Sequence, residues 1–295
     1  AGSGIGAGTA LAYARAGMRL VLSGRRQAEL QAVAGQVAAI GREMGNGASA
    51  RVAVLDVADK DAVLAVAASI QAQEGRLDVL VNSAGLNVRE RNWKHLSTAG
   101  WDQVLRIDLD GTFYCCHAVL PMMRAQKDGL IVNVSSWAGR FVGTMTGPAY
   151  SAAKFGVNAT TESLNMEECI HGIRATAVCP GEVATPILDK RPIPVSAEDK
   201  AKMVQADDCG ALMLFLAFLP AVIIGLFAAD YVKTVLQESI PVIAWALLIG
   251  GVLMLALERR GEQFVIGVPH AVELEFAHHG EHVGALHAHV LLSWS

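Results

Sequence analysis

The chain is poor in the features that mark several functional classes. Its five cysteines (Cys115, Cys116, Cys169, Cys179 and Cys209) are an odd set without a Cys-x-x-Cys pair. That excludes a disulfide framework and a zinc ribbon, and points to a reducing, cytoplasmic setting. A formal net charge of −4 over 295 residues is too mild for a nucleic-acid partner, and none is expected. No signal peptide is visible. The chain opens inside a glycine cluster with no apolar strand before it, as a truncated beginning would. Charge itself is missing from Cys209 to Ala229. The 53% hydrophobic content, high for a soluble enzyme, is concentrated there and just beyond.

What is present centres on Ser135 to Lys154. Tyr150 and Lys154 stand four apart in a segment that reads as a helix start, so they share one helical face. An ammonium beside a phenol favours phenolate, which makes Tyr150 a candidate general acid/base. Ser136 follows the apolar run Leu130, Ile131, Val132, Asn133, Val134, which reads as a buried strand. A hydroxyl at the carboxyl end of such a strand faces the crevice where open α/β sheets bind ligands. Ser135 is the alternative hydroxyl. Alone, a Tyr-x-x-x-Lys pair reads more readily as the surface of an ordinary helix, so the rest of the chain has to decide.

Ala1-Gly2-Ser3-Gly4-Ile5-Gly6 precede a helical pattern reaching about Ala16, an arrangement that suits a pyrophosphate. Met18 to Ser23 reads as a strand ending in Gly24-Arg25-Arg26. An acidic residue there would select NAD; Arg25 instead offers a guanidinium to a 2′-phosphate, or decorates a loop. A helix is expected over 27–44 and a strand over 51–57. Asp56 is either a cofactor residue or a cap for the next helix, a role Asp59 could also fill. Leu77 to Val81 is a short strand running into Asn82-Ser83-Ala84-Gly85. A long helix over 101–126 carries Asp108, with Cys115 and Cys116 read as core. Ile173 to Cys179 is a strand entering Pro180-Gly181-Glu182-Val183-Ala184-Thr185.

Taken in order, these motifs resemble the short-chain dehydrogenase/reductase family, from residue 1 to about 218. The resemblance implies a Rossmann-like α/β fold, a doubly wound parallel sheet whose first and last strands are missing here. It implies an NAD(P)-dependent oxidoreductase acting on a ketone, aldehyde or secondary alcohol. Tyr150 would exchange the proton, Lys154 would tune it and bind the nicotinamide ribose, and Ser136 would orient the carbonyl. Asp108 stands where the family usually has Asn and would hold a relay water. Cofactor contacts would come from Gly2, Ser3, Gly4, Ile5, Gly6, Arg25, Asp56, Val57, Asn82, Ala84, Gly85, Tyr150, Lys154, Pro180, Gly181, Val183 and Thr185. NADP is the expected cofactor, with NAD as the alternative. The family also implies a homo-oligomer formed through helices 101–126 and 150–168.

Beyond residue 212 the pattern changes. The apolar runs 209–229 and 240–257 read as a transmembrane hairpin over 213–260, against the alternative of one buried reductase helix plus a strand. Residues 216–260 resemble a middle portion of undecaprenyl-diphosphate phosphatase without that family's glutamate-rich and PGxSRS motifs. The chain thus reads as a fusion, with an inactive membrane-tethered dinucleotide binder or a phosphatase fragment as alternative functions. The tail over 261–295 holds His278, His279 and His282, which either share a helical face suited to a metal or belong to an unstructured tail; no metal site is expected.

Overall fold

The computed structural model describes residues 1–192, 195–223 and 289–291. Ala1–Ala217 with Leu286–Ser295 form one compact unit, and Phe218–Ala285 form a second. All but the first few residues of the second unit lie outside the described residues, and so do most of the expected hairpin and the His278–His282 cluster.

The first unit alternates helices and strands: α1 (Gly4–Arg15), β1 (Arg19–Gly24), α2 (Gln27–Met44), β2 (Ser49–Val54), α3 (Lys60–Gln73) and β3 (Val79–Asn82). Then come α4 (Thr98–Leu105), α5 (Gly111–Gln126), β4 (Gly129–Val134), α6 (Pro148–Glu168) and β5 (Ile173–Cys179). The short β6 (Val183–Ala184), α7 (Ala197–Lys202) and β7 (Val204–Gln205) lead to α8 (Ala206–Ile223). Strands β1 and β2 pair in parallel, and β3, β4 and β5 form a second parallel ladder. Every residue of β4 is buried, as its nearly unbroken apolar run demands of a parallel strand covered on both faces. Leu22, Leu30, Val33 and Val37 form the core around β1 and α2, while Val119, Met123, Ile131 and Ile173 form the core between β4, β5 and α5.

The two ladders are not hydrogen-bonded to each other, and among the described residues no strand stands between them. That is the place of the first strand in a doubly wound sheet, as the sequence leads one to expect. At the other edge, among the described residues, no parallel strand follows β5, as expected; what departs from expectation is β8 (His289–Leu291), which pairs antiparallel with Ala177–Cys179. The His-rich tail therefore contains a strand where its sequence shows no period. An unpaired strand edge is a ready template for such an addition.

Several expected boundaries move. The second strand ends at Val54, because Asp56 opens a turn by accepting the Ala58 amide at 3.0 Å. Asp59 then caps α3 by accepting the amides of Asp61 and Ala62, which settles which aspartate is the cap. The helix expected over 101–126 starts at Thr98 and is interrupted by a π turn over Arg106–Asp110. Such widened turns are common where a helix must re-aim a functional side chain. Among the described residues no helix is long and apolar enough to cross a membrane.

At the end of α6, Glu168 is buried and accepts two hydrogen bonds from Arg124 of α5, one of them at 2.8 Å. This guanidinium holds the carboxyl below its ordinary value of 4.5. A depressed carboxyl stabilises the fold above its unfolded value and loses that effect as pH falls through the folded one. Glu168→Gln is therefore expected to melt at a lower temperature than the native chain at pH 7. The gap should close as the pH is taken below 4.5, and a gap independent of pH would show that the charge is irrelevant.

Candidate functional site

The site is assembled at the carboxyl ends of β3, β4 and β5. Lys154 and Asp108 are both buried, and Lys154 Nζ lies 3.4 Å from Asp108 Oδ2. The same ammonium donates to the Val134 carbonyl at 3.0 Å and stands 5.4 Å from the centre of the Tyr150 ring. Burial alone would strip this lysine of its proton more easily, but the Asp108 carboxylate together with Tyr150 and Cys179 outweighs it and the pKa is raised. Asp108 also accepts the Leu86 amide at 2.8 Å. Asp108 lies within the π turn, with its side chain buried. Gly85 leaves room for this pair: a Cβ there would lie 3.2 Å from Asp108 Oδ2 and 3.5 Å from Lys154 Nζ.

The two serines have different partners. Ser135 is buried and donates to the Lys154 carbonyl at 3.1 Å, fastening the end of β4 to α6. Ser136 is only half-buried, and its Oγ accepts the Ala138 amide at 3.1 Å. A Cβ on Gly139 would stand 2.7 Å from both Ser135 Oγ and the Lys154 carbonyl oxygen, so this position must be small. Tyr150 is half-buried on the first turn of α6 and packs against the cluster of Leu86, Val104, Ala149 and Ala153. Leu86 also lines a cavity of about 420 Å³ bounded by Asn87, Val88, Arg89, Gln103 and Asp189.

The other expected residues fall into two groups. Gly2, Ser3, Gly4, Ile5 and Gly6 form the approach to α1 and its first turn. Gly4 takes φ +55°, and a Cβ on it would lie 3.3 Å from Thr185 Cγ2. A Cβ on Gly6 would collide with Ser83 Oγ at 2.5 Å. The glycine turn, the Ala84–Gly85 turn and the Pro180–Gly181 loop with Thr185 thus converge. Ser3 occupies the N-cap position without capping, and its Oγ accepts Arg26 Nη2 at 2.8 Å. The first amides of α1 are left without a side-chain acceptor and stand beside a guanidinium, a combination that suits a phosphate.

Arg25, expected to read that end of a cofactor, lies 3.9 Å from Asp56, both of them exposed. Arg26, which the sequence reading passed over, is the one aimed at the glycine turn. Side chains of successive strand-end residues point opposite ways, which is the only signal that could have separated them. Two other expected contacts are turned inward. Asn82 donates to Asn133 Oδ1 at 2.9 Å, Asn133 donates to Thr161 at 2.9 Å, and this buried network ties β3 and β4 to α6. Val183 is buried in the core with Val134, Val178 and Met213. Both serve the sheet with their side chains and leave only backbone to the cleft. Val57 lies against Gly111, where a Cβ would meet its Cγ2 at 2.6 Å. Among the described residues no group of acidic, histidine or cysteine side chains is arranged to hold a metal.

The family profile described as short chain dehydrogenase matches residues 1–193. The chain belongs to that family. This dehydrogenase is 39% identical over 191 residues to the short-chain reductase protein NovJ of Streptomyces niveus, spanning 64% of this chain and 69% of that protein. It is 36% identical over 222 residues to a cis-4-hydroxycyclohexanecarboxylate dehydrogenase of Sinomonas cyclohexanicum, covering 74% and 86% respectively. Among solved structures, a metagenomic short-chain oxidoreductase in complex with NADP superposes with a TM-score of 0.61 at 30% identity, over 73% of this chain and 86% of that one. Levodione reductase gives a TM-score of 0.66 at 28% identity over the same shares. A second profile, bacitracin resistance protein BacA, matches residues 189–283, a wider stretch than the hairpin resemblance suggested. The dehydrogenase family and the BacA family thus meet in one chain near residue 190.

Proposed function

We propose that this dehydrogenase interconverts a carbonyl compound and the corresponding alcohol, using NADP(H) in preference to NAD(H). The observation that carries the reading is the buried Lys154–Asp108 pair beside Tyr150, at the sheet end toward which the glycine turn converges. The bound nicotinamide supplies or accepts the hydride. Tyr150 gives its phenolic proton to the carbonyl oxygen during reduction and takes it back during oxidation. Ser136 hydrogen-bonds the same oxygen and fixes its position. Lys154 keeps a positive charge beside the phenol, is fixed by Val134 and Asp108, and offers its third N–H to the nicotinamide ribose. Asp108, expected to hold a relay water, also faces the lysine directly. The α1 amides hold the pyrophosphate, Arg26 beside them reaches the 2′-phosphate, and Ala84, Gly85, Pro180, Gly181 and Thr185 line the remainder.

The preference for NADP rests on Arg25 and Arg26, with no acidic residue at the end of β1. Arg26→Ala is expected to weaken NADPH binding roughly tenfold or more, with Arg25→Ala weaker in effect and NADH affinity little changed, because a guanidinium–phosphate pair is charge-assisted. Fluorescence titration of each variant with both cofactors checks this. Equal losses for NADPH and NADH would mean that the arginines hold the shared pyrophosphate instead.

Association between copies is part of the proposal. Phe113 on α5 and Phe155 and Met166 on α6 are exposed apolar residues on the helices expected to form the interface. Membrane association is a second reading of the chain, favoured by the BacA match over residues 189–283.

A further inference from the structure

Trp137 directly follows Ser136, and its ring stacks on Phe141 with centroids 4.2 Å apart and planes at 29°. Stacked aromatic pairs in globular proteins are normally part of a core. This one is half open: Trp137 is 41% and Phe141 49% exposed, and the adjoining Val142 and Met145 are 78% and 60% exposed. Its position is tightly held. The Trp137 amide donates to the Pro180 carbonyl at 2.9 Å, which binds the platform to the Pro180–Thr185 loop, and the Phe141 amide donates to the Trp137 carbonyl at 2.9 Å. The loop that follows is braced from below: Asn87, buried, donates to the Thr146 carbonyl at 2.8 Å. Arg91, also buried, packs so closely that a Cβ on Gly147 would fall 2.1 Å from its carbonyl oxygen. A rigid apolar shelf thus begins one residue from the hydroxyl proposed to hold the substrate carbonyl.

We infer that the substrate carries a flat aromatic ring next to its carbonyl, an aryl ketone or aldehyde whose ring lies on Trp137 and Phe141. The inference rests on the carbonyl-reducing reading given above. In the step itself the carbonyl carbon takes the hydride that NADPH gives up, leaving NADP⁺. The carbonyl oxygen takes the Tyr150 proton, which is replaced from water, so the C=O becomes H–C–OH. The shelf supplies none of this chemistry. It selects the shape of what lies beside the carbonyl, because π faces reward flat partners over puckered ones of equal size.

The test uses the full chain with NADPH and three ketones: acetophenone, cyclohexyl methyl ketone of matched size, and butanone. The expected kcat/KM for acetophenone exceeds that for cyclohexyl methyl ketone by roughly tenfold. Trp137→Ala and Phe141→Ala are each expected to reduce that ratio severalfold, and Trp137→Phe to restore most of it. A second readout is independent of turnover: in saturation-transfer NMR the ring protons of acetophenone receive magnetisation from the native chain and much less from Trp137→Ala. A native ratio near one, or a ratio unchanged in both alanine variants, overturns the inference while leaving carbonyl reduction in place. No turnover of any of the three ketones overturns the oxidoreductase reading; saturation transfer to the acetophenone ring that Trp137→Ala does not diminish overturns the shelf.

Discussion

Replacing Tyr150 by phenylalanine is expected to lower the rate of carbonyl reduction by about 10²–10⁴-fold, the usual contribution of a positioned general acid. NADPH binding should stay within roughly twofold of the native value. The substitution removes one hydroxyl and keeps the ring, which packs against Leu86, Val104, Ala149 and Ala153 and faces the Lys154 ammonium. The cluster and the lysine therefore stay where they are. Steady-state rates with any reducible ketone, set beside a fluorescence titration with NADPH, separate the two effects. Turnover within a few-fold of native would remove Tyr150 from the proton transfer. A parallel loss of cofactor affinity would give it a structural role instead.

The second large effect belongs to Lys154→Met. Methionine fills a similar volume but cannot answer the Asp108 carboxylate, which has no exposed surface. Removing one partner of a buried ion pair leaves an uncompensated charge and costs about 3–5 kcal/mol. For a domain of this size that corresponds to a fall in melting temperature of roughly 10 °C. Turnover is expected to disappear with it, because the ammonium facing Tyr150 is gone. The double variant Asp108→Leu with Lys154→Met should recover most of the lost stability and none of the turnover. That contrast distinguishes a charge effect from a packing effect; if the double variant is less stable than the single one, the pair is held by shape. The native pair also sets a pH window. Lys154 has a raised pKa, so its stabilising contribution is present below the ordinary lysine value of 10.5 and is lost as pH rises through the higher folded value.

The two residues of the site nearest in sequence were also the most legible. Tyr150 and Lys154 share a face because helical spacing is a local rule, and α6 starts at Pro148, two residues before the expected start at Tyr150. The parallel strands were legible for a related reason, since β4 and β5 are short apolar runs bounded by turn residues. What spacing could not convey is long-range aim. Nothing local announces that the helix widens over Arg106–Asp110 or that Asp108 faces Lys154. The preference of Arg26 over Arg25 for the glycine turn depends on strand alternation at a boundary that the pattern misplaced by one residue. Asn82 and Val183 were expected at the cofactor from the motifs that contain them; their own side chains answer to the sheet and the core. The stacked Trp137 and Phe141 sit four apart, like the Tyr150–Lys154 pair, yet carried no signal in the sequence because aromatics at that spacing usually face inward.

The separation between β1–β2 and β3–β4–β5 bears on how the protein breathes. Each ladder owns its hydrogen bonds, so the N-terminal pair can open without rupturing any bond of the other. Amide hydrogen exchange should accordingly reveal two opening energies, a lower one for Leu20 to Gly24 and a higher one for Leu130 to Val134. The glycine turn and Arg26 adjoin the weaker ladder, and Tyr150 and Lys154 adjoin the stronger. A bound dinucleotide would clasp both and bring their exchange rates together, making cofactor occupancy a measure of how cooperatively this fold behaves.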